Sequence, residues 1–224
     1  MNSTHQTSAR VACPACQADV DVTLTYSITP GTPDFQRLFE GKVNQGVCPS
    51  CGTVFAVSIP LVFRDDDSGL LIYQMPLDDH SAWPEVEQQV RTMADEIFAG
   101  MDADTRPDCR VTFHRRNFIE KIAAFAAGFD DRLLEYIKYQ LYSREDDPVD
   151  HIRYELLLDF SRDDEENLVF LLFNRETGDA SAAAYIPMST YDSLEDAFQG
   201  DSGLAEELDT LFPGVYVSVE RLYD

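Results

Sequence analysis

Four of the five cysteines in this chain fall into two copies of one spacing, Cys13-Pro14-Ala15-Cys16 and Cys48-Pro49-Ser50-Cys51. Two residues between cysteines let both sulfurs point to one side of a tight turn, where backbone N–H groups stabilise the thiolates, so each copy supplies half of a tetrahedral site. Four thiolates at about 2.3 Å complete such a site, and Zn2+ is its usual occupant because soft sulfur ligands and a tetrahedron suit it. Proline fixes one backbone angle in each copy, and Gly52 permits the positive φ at which a chain often leaves such a turn. Two other chemistries use the same residues: a catalytic dithiol, and a zinc site that releases its metal on oxidation. A catalytic dithiol needs an exposed cysteine of low pKa, usually at a helix N-terminus in a βαβ setting. Here the residues after the first pair, QADVDVTLTYSIT, read as a strand, with Val20, Val22, Leu24, Tyr26 and Ile28 alternating with polar residues. A knuckle that leads into a strand fits a zinc ribbon. The expectation is one structural zinc per chain, held by Cys13, Cys16, Cys48 and Cys51, with no open position for catalysis. Cys109, in DCRVTF, is expected as a small core residue at the start of a strand or in a buried turn.

Other residues offer less. The chain contains no G-x-S-x-G, no Walker A, no G-x-G-x-x-G after a strand and no H-E-x-x-H. His80 and His151 have aspartates nearby and could each form half of an acid/base or metal pair, although a solvated histidine in an acidic loop explains both; His5 falls in a loose N-terminus. His114, Arg115 and Arg116 open a helix and form the one basic cluster, so an anion or the acidic patch of a partner could dock there; an intramolecular salt-bridge anchor is the plainer reading. Asp65, Asp66 and Asp67 lack the spaced pattern of a calcium loop and read as a solvated turn.

The charge constrains the partners. With 41 acidic and 17 basic residues the formal net charge is −24, and the only lysines are Lys42, Lys121 and Lys138. Such a field repels phosphate backbones and disfavours sequence-independent nucleic-acid binding. Surface adaptation to high salt is one account of the acidity, and a nucleic-acid-mimicking face is another. The N-terminus has no apolar core of a signal peptide, and no stretch approaches eighteen uninterrupted apolar residues. With an odd cysteine count, this leads to the expectation of a cytoplasmic protein, neither exported nor membrane-bound.

The segment CPACQADVDVTLTYSITPGTPDFQRLFEGKVNQGVCPSCGTVF resembles the CpXC domain, a bacterial and archaeal domain named for its two Cys-Pro-x-Cys motifs and without an assigned function. The matching positions are Cys13, Pro14, Cys16, Cys48, Pro49, Cys51 and Gly52, with a short helix before GKVN and a following strand pair. The resemblance covers roughly the first 80 residues and extends more weakly to FIEKIAAFAAGFDDRLLEYIK. It implies a zinc-ribbon-like module and no reaction.

Periodicity supplies the elements that position these residues. Thr32 and Pro33 cap and open a short helix carrying Leu38 and Phe39. TVFAVSIPLVF and GLLIYQMPL read as two strands joined by RDDDSG. From Ser81 and Pro84 to Gly100 the period is helical, with Val86, Val90, Met93, Ile97 and Phe98 as its apolar side; two more helices carry Phe118, Ile119, Ile122, Phe125 and Ala126, then Leu133, Leu134, Ile137 and Leu141, with Asp130 or Asp131 as cap. Beyond Pro148, IRYELLLDF, NLVFLLF, AAAYIPM and GVYVSVERLY read as four strands, with two helices between the third and fourth. The expected fold is α+β: a zinc-ribbon-like β module (1–80), a helical region packing on it (81–142), a linker (143–151) and a C-terminal antiparallel sheet with helices (152–224). The leading functional expectation is a non-catalytic interaction or adaptor protein with an unidentified protein partner. Its rivals are an enzyme with a site between the helical region and the C-terminal sheet, a zinc–thiolate redox sensor, and an acidic nucleic-acid mimic.

Overall fold

A computed structural model of the chain describes residues 6–77, 79–161, 165–200 and 202–223. The chain forms two compact units, Met1–Ile119 and Glu120–Asp224.

The first unit is built largely from hairpins. Strands β1 (Gln6–Ala12) and β2 (Asp19–Thr25) pair antiparallel from Gln6 opposite Thr25 to Ala12 opposite Asp19. β1 is absent from the sequence expectation: apart from Val11 its residues are small or polar, and its burial pattern shows no buried position. It forms because β2 has the expected alternation, with Val20, Val22 and Leu24 buried, and needs a ladder partner. After the two-residue β3 (Ser27–Ile28) comes α1 (Pro33–Phe39), which starts as expected with the Thr32 hydroxyl accepting from the Phe35 N–H. Leu38 is buried, whereas Phe39 stays exposed against Phe35.

A second hairpin follows, β4 (Gln45–Val47) against β5 (Val54–Ala56). TVFAVSIPLVF is therefore two strands, β5 and β6 (Leu61–Asp65), with Pro60 in the break, since proline cannot donate to a ladder. β6, β7 (Leu70–Gln74) and β8 (Asp108–Thr112) join β3 in a sheet ordered β3-β6-β7-β8, in which β7 and β8 run parallel. The connection between them contains α2 (Trp83–Ile97), which buries Val90 and Ala94 but leaves Met93 and Ile97 exposed, so the expected apolar stripe is only partly used. The helix starts on Trp83, with Pro84 in its first turn and no side-chain cap; Ser81 bonds Asp79 instead.

Asn44 ties the two hairpins together. Its backbone is left-handed (φ 57°), its side chain is buried, and the amide copies a strand residue: Oδ1 accepts the Thr25 N–H at 2.7 Å while Nδ2 donates to the Thr25 carbonyl at 3.0 Å. Asn44→Ala leaves both Thr25 backbone groups unpaired and is expected to cost about 2 kcal/mol, read as a lower melting temperature with hydrogen exchange accelerated at Thr25. Two residues on, Gly46 faces β2 so closely that an added Cβ would lie 2.8 Å from Val22 and 2.9 Å from Phe55. Only glycine fits there.

Helix α3 (Arg115–Ala126) carries the chain from the first unit into the second. In the second unit α4 (Asp131–Ser143) is capped by Asp130 and buries Leu133, Leu134, Ile137 and Leu141, all as expected from the sequence. These residues share one core with Leu156, Leu158, Leu168 and Phe170 of the sheet. That sheet is antiparallel, in the order β11-β10-β9, from β9 (Tyr154–Leu158), β10 (Asn167–Asn174) and β11 (Ala180–Pro187). α5 (Met188–Gly200) and α6 (Ser202–Leu211) follow. The expected fourth strand, GVYVSVERLY, does not form. Tyr216, Val217 and Val219 are buried, but the segment ends in a 3-10 turn, Val219–Leu222, and the Val219 N–H donates to the Glu135 carboxylate rather than to a ladder. Apolar alternation reported burial here without reporting pairing.

Candidate metal centre

The two Cys-Pro-x-Cys segments occupy equivalent places. The β1–β2 hairpin closes at Ala12 opposite Asp19, and the β4–β5 hairpin at Val47 opposite Val54, so each pair of cysteines sits in the turn of its own hairpin. The turns share their hydrogen bonds. Cys13 N–H donates to Ala18 O and Gln17 N–H to Cys13 O, while Cys48 N–H donates to Thr53 O and Gly52 N–H to Cys48 O, all at 2.9 Å. Each turn leaves through a left-handed residue, Gly52 at φ 75° and, at the matching position, Gln17 at φ 61°. Glycine signalled this geometry in one knuckle only; in the other, the turn imposes it on a residue that bears a Cβ.

The hairpins bring all four sulfurs within 4.8 Å of one another. Cys13 Sγ lies 3.7 Å from Cys51 Sγ, and Cys16 Sγ lies 3.5 Å from Cys48 Sγ. Corners of a tetrahedron with 2.3 Å arms are about 3.8 Å apart, so the spacing suits one metal ion bound by four sulfurs. Burial follows the same pseudo-twofold pattern: the first cysteine of each pair is buried and the second exposed. Cys13 and Cys48 pack with Val20, Val22 and Leu24 in a small cluster, flanked by Val11, Phe55 and Val57. Five buried residues make a thin core, and cross-linking by metal is the usual way so small a module closes.

Without an ion the cluster holds its protons unevenly. The Thr53 hydroxyl and backbone N–H bring the Cys51 thiol down to about 6, and the backbone N–H groups of Cys51 and Ser50 lower Cys48. At Cys16 the Ala18 N–H favours the thiolate, but the neighbouring Cys51 and Cys48 sulfurs and burial outweigh it and push the thiol up to about 12. A divalent cation supplies the charge that lets four adjacent thiols ionise together, so binding releases protons and weakens as the pH falls.

The remaining expected site residues do not join this centre. His5 and the side chain of His80 lie outside the described residues. His151 packs: its ring stacks on Tyr223 with centroids 4.1 Å apart and meets Tyr142 edge-on, while its carbonyl accepts from Arg175. Arg175 also grips Glu220, whose carboxyl burial pushes up to about 7 against the pull of the guanidinium. Asp65 of the triple-aspartate turn accepts the Asp67 and Ser68 N–H groups, and Asp66 pairs with Arg64. Cys109 lies in β8, half-buried, with its thiol raised by desolvation. His114, Arg115 and Arg116 stand at the start of α3 as expected, and Arg115 borders a cavity. No described helix is long and apolar enough to cross a membrane.

Fold and site together define an α+β protein whose N-terminal β module is zinc-ribbon-like and carries a four-cysteine cluster able to hold a metal ion. The chain belongs to the CpXC protein family, whose model matches residues 11–138, more than half of its length. No curated protein and no solved structure matches the chain.

Proposed function

We propose that Cys13, Cys16, Cys48 and Cys51 hold one structural zinc ion, and that the chain acts as a non-catalytic interaction or adaptor protein for a protein partner. The observation that carries the zinc reading is the donor set: two knuckles with matching backbone hydrogen bonds supply four sulfurs close to tetrahedral spacing, and full four-sulfur ligation leaves no position for substrate or water. An all-sulfur donor set selects zinc over magnesium, calcium or manganese, which prefer oxygen ligands. The adaptor reading follows from a closed site combined with the absence of the familiar catalytic motifs from the sequence. The strongly acidic composition favours a protein partner over a phosphate backbone.

The test is elemental analysis of protein purified without added metal, with thiols counted before and after denaturing chelation. The expected result is close to one zinc per chain, with four thiols becoming reactive only on metal removal. Four freely reactive thiols and no zinc, after metal loss during purification has been excluded, would return the knuckles to dithiol chemistry. The exposure of Cys16 and Cys51 gives oxidants access and keeps a redox-sensing variant of the same site open to test. A structural site resists a peroxide titration that empties a sensor reversibly at low oxidant.

A further inference from the structure

At the C-terminal ends of the parallel strands β7 and β8, where the chain turns into α3, the first unit has a cavity of about 260 Å3. Its walls are mostly apolar, from Leu38, Val43, Val57, Leu77 and Phe113. Among the described residues, two polar side chains face it without partners for a buried atom. Gln74, the last residue of β7, is 3% exposed, and its Oε1 accepts no hydrogen bond. Arg115, the first residue of α3, is half-buried with Nη1 shielded from water and equally unpartnered. Beside Gln74, its register neighbour Thr112 has a buried hydroxyl that is also unpartnered.

These orphans are costly and hard to explain as packing. An unsatisfied buried polar group costs about 1–3 kcal/mol, and a charged one more. In a chain with 41 acidic residues, carboxylates are the natural partners of arginine, and Arg10, Arg37, Arg64, Arg132 and Arg175 each have one. Among the described residues Arg115 has none: desolvation alone acts on its guanidinium, lowering its pKa. The cavity is also where α/β architecture usually binds ligands, at the ends of parallel strands and the positive end of the following helix.

We infer that this cavity binds the carboxylate of a small organic acid, with Arg115 and Gln74 gripping the carboxylate and the apolar body resting on Leu38, Val43, Leu77 and Phe113. A guanidinium matches a planar carboxylate with two parallel hydrogen bonds. Nothing fixes Oε1 of Gln74, so a half-turn of the amide presents its NH2 to the second carboxylate oxygen. The volume lies below the roughly 300–1,000 Å3 of drug-sized sites, which sets the scale at a single small ring or a short branched chain. The inference is independent of the metal.

The test is calorimetric titration of the full-length, metal-replete chain with sodium benzoate, benzamide, inorganic phosphate and acetyl-glycyl-leucine. Benzoate is expected to bind one per chain and to raise the melting temperature, while benzamide, of the same shape without the charge, is not. Arg115→Met should weaken benzoate at least about tenfold, the loss of one charge-assisted contact, and should itself melt no lower than the parent because it removes an uncompensated charge. Gln74→Leu keeps the charge and should weaken benzoate severalfold, which decides the matter if Arg115→Met fails to fold; Arg10→Gln, at an exposed pair, should change nothing. Absence of benzoate binding, or binding indifferent to both Arg115→Met and Gln74→Leu, overturns the site. Phosphate bound as tightly as benzoate overturns the carboxylate assignment, and tighter Arg115-dependent binding of the peptide moves the carboxylate onto a polypeptide and overturns the small-acid reading.

Discussion

Cys48→Ser is expected to empty the metal centre and unfold both N-terminal hairpins while the second unit keeps its helices and sheet. Cys48 is 1% exposed and packs in the same small cluster as Cys13, so its loss removes a ligand and disturbs the core at once. Structural zinc contributes on the order of 10–16 kcal/mol of folding free energy in small modules, far more than five buried residues can supply. The second unit has its own core, centred on Leu133, Ile137, Leu156 and Phe170, with no part in the cysteine cluster. Hydrogen exchange should therefore lose protection in β1, β2, β4 and β5 and retain it in α4 and β10, with zinc falling well below one per chain. Cys109→Ser, at a half-buried thiol outside the cluster, should leave metal content and melting nearly unchanged. A Cys48→Ser protein with full zinc and parental melting would exclude the structural role.

The four-cysteine cluster was legible in the sequence because its chemistry is local: spacing within each pair fixes the turn, and duplication of the pair implies that the turns meet. Helix α4 was legible for a similar reason, since Asp130 and a clean apolar stripe act within a few residues. What escaped depends on distant partners. β1 carries no pattern of its own and exists because β2 needs a ladder. Gln17 occupies a left-handed position without the glycine that marks one. GVYVSVERLY alternates like a strand, yet the Val219 N–H is satisfied by Glu135, a residue 84 positions away in sequence. The interior charges were the least visible. Nothing in the sequence marks Glu120, Lys121, Glu135 and Lys138 as interior, because a charge counts as exposed unless its partner is known, yet all four are buried.

Two of the three lysines are in fact buried in the second unit, and the larger of the two networks they form is the source of the other strong effect. Lys138 Nζ donates at 2.8 Å to Glu120 Oε2 and at 2.8 Å to Glu135 Oε1. The outer oxygens of those carboxylates accept backbone N–H groups, Leu158 onto Glu120 and Val219 onto Glu135, so one ammonium fastens α3, α4, edge strand β9 and the C-terminal turn. Burial alone would lower the Lys138 pKa, but the two carboxylates outweigh it and hold the ammonium above its ordinary range; at Glu120 burial prevails and pushes the carboxyl up. Lys138→Met strands two carboxylates in a dry site. The expected cost is about 3–5 kcal/mol, the penalty for removing one partner of a buried ion pair, seen as a large drop in the melting of the second unit. The sign of its pH dependence is fixed. With the lysine gone, the folded-state carboxyl pKa of Glu120 rises further above its unfolded value, so the fold binds a proton that the unfolded chain releases. The deficit should therefore shrink as the pH falls toward about 5 and be fully expressed near neutrality. Adding Glu120→Gln and Glu135→Gln removes both charges yet leaves each side chain an oxygen for its backbone N–H. The triple variant should recover much of the lost stability and lose most of the pH dependence. If Lys138→Met alone melts like the parent at neutral pH, the ammonium is not what holds these four elements together.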